Sequence, residues 1–277
     1  MARRRSAGRL LVVGRNAFLA RAFLEACDEP PIAVGHDAID HPDLLDNVDR
    51  IVGFMRHPLL RSADYRPERM DPDLRLAERI ADRAIHYVML SSCRVYAPSA
   101  RPLAESDPTG PRDPYGEHKL WLERELQARL GPHLTTLRLG NMFGDEREAG
   151  RRTFFALMLD GLAREGRIRF NMSPFVKRDF LPAASFARLL ARIVTAPPGG
   201  ILNVGSGIPL ATGRAALWLI EGYGRGELVI ESSEEKDAFV LDIDRLRSLY
   251  GQPCTYQELR TSRLNLGRRL ASESIKR

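Results

Sequence analysis

The sequence predicts an α/β protein built on a doubly wound parallel sheet. Short apolar segments alternate with longer segments of helical periodicity along the first half of the chain. Strands that alternate with helices in this way form a parallel sheet with helices on both faces. The 277 residues, 44% hydrophobic and 28% charged, are ordinary for one large domain with a small addition.

The first half begins with a strand, a turn and a helix. Arg9–Val13 is a short apolar run that ends at Gly14, and Ala17–Cys27 has helical periodicity. Further strands are expected at Pro31–Gly35, Val48–Phe54, Ile85–Ser91 and Leu134–Leu139, and further helices at Asp71–Ala84 and Pro114–Leu130. Proline is favoured in the first turn of a helix, and Gly131–Pro132 marks the end of the last one.

The second half is less regular after about Gly144. Helices are expected at Thr153–Glu165, Ala183–Thr195, Thr212–Gly222 and Asp242–Tyr250, strands at Ile201–Val204 and Leu228–Ile230, and a polar stretch before Arg178. No internal repeat is present. We expect residues 9–144, with a return segment near 173–206, to form the sheet domain. Residues 145–172 and 207–277 then form a small cap.

Composition and charge narrow the class of protein. The apolar run Leu10–Val13 is too short to cross a bilayer and breaks at Gly14, which predicts a cytoplasmic protein with no membrane partner. Three widely spaced cysteines predict reduced thiols and no metal site. The net charge of +6 is spread along the chain among acidic residues, without aromatic-rich basic segments or zinc spacing, so no nucleic-acid partner is expected.

The turn after the first strand is a candidate phosphate-binding turn. GRNAFLA places Gly14, Ala17 and Ala20 where a dinucleotide-binding turn usually has glycines. Alanine keeps the packing close but does not readily take a positive φ, so the motif is degraded and an ordinary βα turn explains it equally well. A helix N-terminus offers N–H groups to a phosphate. The expected cofactor contacts here are Gly14, Arg15, Asn16, Ala17, Phe18 and Leu19.

The choice between NAD and NADP stays open on the sequence. Arg15 is suited to the 2′-phosphate of NADP, although a solvated surface arginine is an equal alternative. Asp37, just after the second strand, is suited to the ribose hydroxyls of NAD.

Tyr115 and Lys119 are the candidate catalytic pair. Residues four apart share a helix face, and a nearby ammonium favours the ionised form of a phenol, which otherwise titrates near pH ~10. Chance pairs at this spacing are common, but only four of the 42 basic residues are lysines, so a lysine here is notable. Ser92, about two dozen residues upstream, ends a buried strand at the edge where α/β sites form.

Several strings together resemble the extended short-chain dehydrogenases/reductases, the nucleotide-sugar epimerase, dehydratase and reductase group. Ser91–Tyr96 (SSCRVY) is similar to that family's S-S-x-x-V-Y-G, and Asp113–Lys119 (DPYGEHK) is similar to its catalytic helix. Leu137–Gly144 resembles L-R-x-x-N-V-Y-G, Arg178–Phe180 resembles its R-D-F, and Ile201–Gly207 resembles Y-N-I-G-S-G. These blocks follow the family's order across residues 10–222.

The resemblance implies a Rossmann-like fold, an NAD or NADP cofactor and a nucleotide-sugar substrate. It implies Tyr115 as the acid/base, Lys119 on the nicotinamide ribose and Ser92 as the hydroxyl partner, with Ser91 beside the cofactor. The implied substrate contacts are Ser92, Cys93, Arg94, Asn141 and Arg178. Ser92 could instead cap a strand end, and Arg178 could be a structural ion-pair partner. A homodimer through the helix that carries Tyr115 is also implied.

Some positions depart from the family pattern. Met55-Arg56-His57 stands where the family has small residues facing the cofactor, and Asp71 replaces a common asparagine. Sugar dehydratases of the family need an acid and a base directly after the site hydroxyl. Here these positions hold Cys93 and Arg94, which disfavours dehydration.

Three functions remain open. The first is an NAD(P)-dependent oxidoreductase that reduces a 4-keto sugar of a nucleotide sugar, with tyrosine as proton donor. The second is an NAD-dependent nucleotide-sugar 4-epimerase. The third, suggested by the degraded glycine turn, is a non-catalytic dinucleotide-sensing protein.

Overall fold

The computed structural model of the chain describes residues 8–55, 64–146, 153–235 and 238–274. The chain divides into two compact units. The first unit contains the chain up to Tyr96, Pro108–Arg138 and Ala187–Leu202, and the second contains Ala97–Asp107, Leu139–Phe186 and the chain from Asn203 onward. The sequence predicts a sheet domain and a cap that divide at residues 144 and 145, with a return segment. These limits differ from those of the two units, and the domain division stays a prediction.

The helices and strands alternate along the first half of the chain. The strands are β1 (Arg9–Val13), β2 (Ile32–Val34), β3 (Val48–Gly53), β4 (His86–Ser92), β5 (Leu134–Leu139), β6 (Asn141–Phe143), β7 (Arg167–Phe170), β8 (Lys177–Pro182), β9 (Gly200–Val204), β10 (Pro209–Ala211) and β11 (Glu227–Ile230). The helices are α1 (Phe18–Glu25), α2 (Pro67–Met70), α3 (Pro72–Ile80), α4 (Pro114–Leu130), α5 (Phe154–Glu165), α6 (Ala183–Thr195), α7 (Thr212–Tyr223), α8 (Asp244–Tyr250) and α9 (Tyr256–Ser274).

Within the described ranges, the central sheet has six strands in the order β2-β1-β3-β4-β5-β9. β1 pairs in parallel with β2 on one side and β3 on the other, and β3 pairs in parallel with β4. The chain therefore changes direction across the sheet between β1 and β3. In a doubly wound sheet, ligands bind outside the carboxyl ends of the strands at this switch point. The predicted α/β class with a doubly wound parallel sheet is confirmed.

The core of the first unit forms because successive side chains of the strands alternate between the two faces. Leu11 and Val13 of β1, Ile51 of β3, and Tyr87 and Met89 of β4 are fully buried in one cluster. The apolar sides of α3 and α4 join this cluster through Leu76, Ala77, Leu122 and Leu126. Burial of these side chains fixes where the strands end. The candidate functional side chains lie at or just after those ends.

The second unit contains two smaller sheets. In one, β8 pairs with β10 on one side and with β6 on the other; in the other, β7 pairs with β11 in parallel. The segment before Arg178 was predicted as a polar stretch, but β7 occupies part of it. Ile168 and Phe170 are buried there while Arg167 and Arg169 are exposed, so the strand pattern is carried by only two apolar residues.

The last helix, α9, was not predicted. The residues Leu259, Leu266 and Leu270 are buried at helical spacing, but Arg263 occupies the position between them. The Arg263 guanidinium is fully buried, 3.9 Å from the centre of the Phe143 ring. A charged residue on the inner face interrupts the hydrophobic periodicity from which helices are predicted. No helix in the described ranges is long and apolar enough to cross a membrane.

Candidate active site

The turn after β1 retains a glycine where the backbone requires one. Gly14 has φ +90°, and a Cβ at this position would lie 2.5 Å from the Phe54 carbonyl oxygen beside the end of β3. A side chain is therefore excluded by both the left-handed backbone and the neighbouring strand. The Gly14 and Arg15 N–H groups both donate to the Val34 carbonyl at the end of β2. This glycine brings the turn close to the switch point of the sheet.

Alanine at the next motif position causes no backbone strain. Ala17 is the N-cap of α1 with φ −66° and ψ 146°, an extended conformation open to any residue. Among the residues that the structure describes, no side chain caps α1, and the first N–H groups of any helix, here those of Phe18 and Leu19, lack an intrahelical acceptor. The expectation that alanine degrades this turn is therefore wrong at Ala17. The turn and the uncapped helix start fit a dinucleotide pyrophosphate.

The side chains expected to select the cofactor lie at the surface. Arg15 and Asn16 are exposed in the turn, and Asp37 is exposed in the 3₁₀ turn that follows β2. Met55, next to the end of β3, is buried. The predicted departures at Arg56 and His57 lie outside the described residues.

Two adjacent serines end β4 and have different surroundings. The Ser91 hydroxyl donates to Glu123 of α4, and that carboxylate also forms a buried ion pair with Arg138 at 2.7 Å. A contact of Ser91 with the cofactor would therefore use its backbone groups. The Ser92 hydroxyl oxygen accepts the Arg94 N–H at 3.2 Å and caps a short 3₁₀ turn, the capping role considered from the sequence. Within the described ranges its hydroxyl hydrogen has no acceptor, so it stays available to a substrate oxygen.

Helix α4 begins at a tightly constrained point. Asp113 is its N-cap, and one carboxylate oxygen accepts the Tyr115 and Gly116 N–H groups at 3.0 and 3.1 Å. The other oxygen forms a 2.8 Å ion pair with Arg94. A Cβ on Gly116 would collide with the Arg94 carbonyl oxygen, so glycine lets the helix approach the segment after Ser92. These contacts hold the start of the Tyr115 helix against the end of β4.

Tyr115 and Lys119 follow one turn apart on α4. The Tyr115 side chain is partly exposed, and its hydroxyl makes no hydrogen bond to any part of the chain that the structure describes. The Lys119 side chain is buried, with 6% of its surface exposed. Ser92, Tyr115 and Lys119 all belong to the first unit. An accessible phenol and a buried ammonium on one helix suit transfer of a proton at the phenol oxygen.

A buried acidic pair at the start of α3 was not identified from the sequence as part of the site. Asp71 caps α3 and Asp73 lies in its first turn, with 2% and 3% of their surfaces exposed. Burial acts to raise the pKa of both carboxyl groups and the Lys119 charge acts to lower it; the net pKa is lowered at Asp71 and raised at Asp73. Asp71 stands where the resemblance leads to asparagine, which was the one available signal. No sequence motif singles out Asp73.

The remaining residues predicted to contact the substrate are divided between the two units. Cys93 is buried and Arg94 is half exposed in the first unit, with the Arg94 guanidinium engaged by Asp113. Asn141 and Arg178 lie in the second unit. The Asn141 amide donates to the Asp179 carbonyl oxygen at 2.9 Å, which places its strand next to the one that carries Arg178.

Arg178 lies against an aromatic surface in the second unit. Its guanidinium is 5.0 Å from the centre of the Phe154 ring, and one of its nitrogens is 3.8 Å from the Met172 sulfur. The neighbouring Asp179 is completely buried and accepts the Ser206 and Gly207 N–H groups at 2.6 and 3.0 Å. Burial raises the pKa of Asp179, and these hydrogen bonds act in the opposite direction. The carboxylate thus fixes the loop after β9 beside β8.

Known structures share this fold. A UDP-N-acetylglucosamine 4-epimerase from Methanobrevibacter ruminantium M1, in complex with UDP-N-acetylmuramic acid, superposes with a TM-score of 0.81 at 16% identity, over 97% of this chain and 100% of that one. RMD from Pseudomonas aeruginosa, complexed with NADPH, gives 0.77 at 20% identity, over 96% and 100%. MoeE5 in complex with UDP-glucuronic acid and NAD gives 0.78 at 18% identity, over 95% and 99%.

At these identities the likeness establishes the fold alone. A search of curated proteins found no match. The sequence model of the NAD dependent epimerase/dehydratase family matches residues 38–205, which is more than half of the chain. This match includes the strand end at Ser92 and the helix with Tyr115 and Lys119, and it begins after the glycine turn. The chain belongs to the NAD dependent epimerase/dehydratase family.

Proposed function

We propose that this protein is an NAD(P)-dependent oxidoreductase that reduces a 4-keto group on a nucleotide sugar. The observation that carries the proposal is the set formed by Ser92, Tyr115 and Lys119. Across the described ranges, the hydroxyl hydrogens of Ser92 and Tyr115 have no acceptor, while the buried side chain of Lys119 lies one helical turn from Tyr115. Two unused hydroxyl donors, one of them a helical turn from a lysine, suit protonation of a carbonyl oxygen.

The glycine turn and α1 would hold the cofactor. The backbone at Gly14 and the N–H groups of Phe18 and Leu19 would bind the pyrophosphate. Asp37 would bind the ribose of NAD, or Arg15 the 2′-phosphate of NADP, and both stay part of the proposal. Bound NADH or NADPH supplies the hydride that ketone reduction requires.

The chain's own residues would manage the proton that accompanies the hydride. The Tyr115 hydroxyl donates its proton to the oxygen formed from the ketone, and the Ser92 hydroxyl donates a hydrogen bond to the same oxygen. The Lys119 ammonium stabilises the tyrosinate that remains, because an opposite charge nearby favours an ionised group. General acid catalysis of this kind contributes about 10²- to 10⁴-fold to a rate.

The nucleotide-sugar substrate is proposed from the second unit. Arg178 supplies a guanidinium suited to a diphosphate, and Asn141 retains an amide oxygen for hydrogen bonding. The superposed structures named above were solved with UDP sugars or with a dinucleotide, which agrees with this substrate class.

Reduction is preferred to dehydration because the positions after Ser92 carry no carboxyl group. Cys93 is a buried thiol, and the Arg94 guanidinium is paired with Asp113. Neither residue can act as the acid and base that loss of water requires. A single proton transfer at Tyr115 is the chemistry that the remaining groups support.

The test is a turnover assay with defined substrates. Purified protein is mixed with NADPH or NADH and a nucleoside-diphosphate-4-keto-6-deoxy sugar, and loss of reduced cofactor is followed by absorbance. We expect turnover by the wild type and by Tyr256→Phe, a matched change at a half-exposed tyrosine of α9. Tyr115→Phe should abolish it. Turnover that survives Tyr115→Phe would overturn the mechanism.

The same assay separates the two other candidate functions. A 4-epimerase would invert the sugar without net use of cofactor, and mass spectrometry of ligand extracted from the purified protein would find tightly held NAD. A dinucleotide-sensing protein would bind cofactor in calorimetry and show no activity over a panel of nucleotide sugars. Either result would replace reduction as the function.

A further inference from the structure

Arg263 of α9 is a charged side chain in the interior of the second unit. It is fully buried, and its Nη1 donates to the Leu259 carbonyl oxygen at 3.1 Å. Within the described ranges, its Nε and Nη2 have no hydrogen-bond partner. Burial lowers the pKa of this guanidinium to about 9, so it stays charged at neutral pH. Because burying an unpaired charge costs the folded state free energy, stability alone does not explain an arginine here.

The rings that surround this guanidinium belong to two strands with predicted substrate contacts. The central carbon of the Arg263 guanidinium lies 3.9 Å from the centre of the Phe143 ring on β6. It lies 4.8 Å from the centre of the Phe180 ring on β8. An arginine over an aromatic ring is attracted most strongly where water is excluded. Arg263 therefore contacts both strands through favourable cation–π interactions.

Asn141 and Arg178 share one face of this sheet with the two rings. Side chains two residues apart in a strand point to the same face, so Asn141 goes with Phe143 and Arg178 goes with Phe180. β6 and β8 are parallel, and Asn141 pairs directly with Phe180, which brings all four side chains to the same face. The stack under Arg263 is thus next to the residues proposed to bind the nucleotide sugar.

The first turn of α5 makes a second connection to Arg178. Phe154 and Phe155 are the first two residues of this helix. The Phe155 ring lies 5.1 Å from the Phe143 ring, measured between centres, and the Phe154 ring lies 5.0 Å from the Arg178 guanidinium. This turn therefore touches both the ring that stacks on Arg263 and the guanidinium proposed for the diphosphate.

We propose that Arg263 is a positioning residue for nucleotide-sugar binding. Its guanidinium fixes the rings of Phe143 and Phe180. Through the two strands it sets the positions of Asn141 and Arg178. This inference rests on the proposed function, which assigns Asn141 and Arg178 to the substrate. It goes beyond that function by giving a role in substrate affinity to a fully buried arginine on the last helix.

The test compares Arg263→Met with Arg269→Met. Methionine occupies much of the same space but is flexible and carries no planar cation, and Arg269 is exposed on the same helix. The readouts are the unfolding free energy in urea, the calorimetric Kd values for UDP, dTDP and NADH, and KM and kcat in the turnover assay. A merely structural role would lower the unfolding free energy and leave the Kd values of the folded protein unchanged.

For Arg263→Met we expect the Kd for UDP or dTDP, and the KM for the nucleotide sugar, to rise about fivefold to thirtyfold, the equivalent of one desolvated cation–π contact. The kcat and the Kd for NADH should stay within about twofold of the wild type, and the unfolding free energy should not fall. Arg269→Met should match the wild type throughout.

The two proposals fail in different ways. If Arg263→Met binds UDP and dTDP as the wild type does, or if kcat falls while KM is unchanged, the inference on Arg263 is overturned and the proposed function stands. If the wild type binds neither nucleotide and turns over no nucleotide sugar, the proposed function fails and the inference fails with it.

A second variant covers the case in which Arg263→Met does not fold. Phe143→Leu keeps the guanidinium and removes one of the rings on which it stacks. It should also raise the Kd for the nucleotide and the KM, with kcat unchanged. In the double variant the two effects should not multiply, because both changes break the same contact. A wild-type Kd in Phe143→Leu, or effects that multiply in the double variant, would overturn the inference.

Discussion

Replacing Asp73 with asparagine should change how the stability of the folded protein depends on pH. Burial, reinforced by the charge of Asp71, raises the pKa of Asp73 from 3.8 to about 7 in the folded state. Below pH 4 the carboxyl group is protonated in both the folded and the unfolded chain. Between pH 4 and 7 the unfolded chain loses this proton while the folded chain keeps it, so stability falls as the pH rises. Above pH 7 both forms are ionised, and the loss is complete.

The size of the effect follows from the same two values. Each pKa unit corresponds to about 1.4 kcal/mol, so the Asp73 carboxyl group should cost the folded state about 4 kcal/mol across this pH range. Asparagine does not titrate, and the cost disappears. Asp71 does not affect this comparison. Because its pKa is lowered, its contribution to the unfolding free energy changes only at acidic pH, where stability is lost as the pH falls.

The assay is urea unfolding followed by circular dichroism at several pH values from 4.5 to 8. The quantity of interest is the unfolding free energy of Asp73→Asn minus that of the wild type, since all other titrating groups cancel in this difference. We expect it to rise by several kcal/mol toward pH 8. Glu78→Gln, a change at an exposed position of the same helix, is the matched control. A flat difference for Asp73→Asn would refute the titration assigned to Asp73.

Three further substitutions test the surrounding structure, each by urea unfolding. Gly14→Ala should destabilise the fold by about 1–3 kcal/mol and weaken NADH binding in calorimetry, because it forces a Cβ against the Phe54 carbonyl at φ +90°. Unchanged stability would contradict this close contact. Arg138→Met should cost about 3 kcal/mol or more, since Glu123 would stay buried without its cation, and adding Glu123→Leu should restore most of the loss. Asp113→Ala should cost about 1 kcal/mol by removing the N-cap of α4; a loss below about 0.3 kcal/mol would argue against that cap.

The parts of the fold that follow a simple hydrophobic period were predictable. The limits of α4, β5 and α6 agree with the prediction because apolar periodicity, Pro114 and Gly131 mark them clearly. The helix α9 was missed because Arg263 takes a buried position that a hydrophobic residue usually fills. Its guanidinium packs on the rings of Phe143 and Phe180, residues far away in the sequence. Such tertiary stabilisation leaves no local pattern.

The candidate site was predictable to a similar degree. Tyr115, Lys119 and Ser92 are identified by strings that lie close together in the sequence. The burial of Asp71 and Asp73 depends on packing of α3 against α4, and the sequence contains no spacing that predicts it. The effect of alanine in the glycine turn was misjudged for a related reason. A motif does not say which of its positions takes a positive φ, and at Ala17 none is required.

The most direct test of the central claim is the kcat of Tyr115→Phe with a nucleoside-diphosphate-4-keto-6-deoxy sugar and reduced cofactor, measured beside its Kd for NADH. If the Tyr115 hydroxyl donates the proton, kcat should fall by about 10³-fold or more while cofactor binding stays within about twofold of the wild type. A kcat within tenfold of the wild type, well short of the loss of about 10²-fold or more expected for a general acid, would contradict the proposed mechanism.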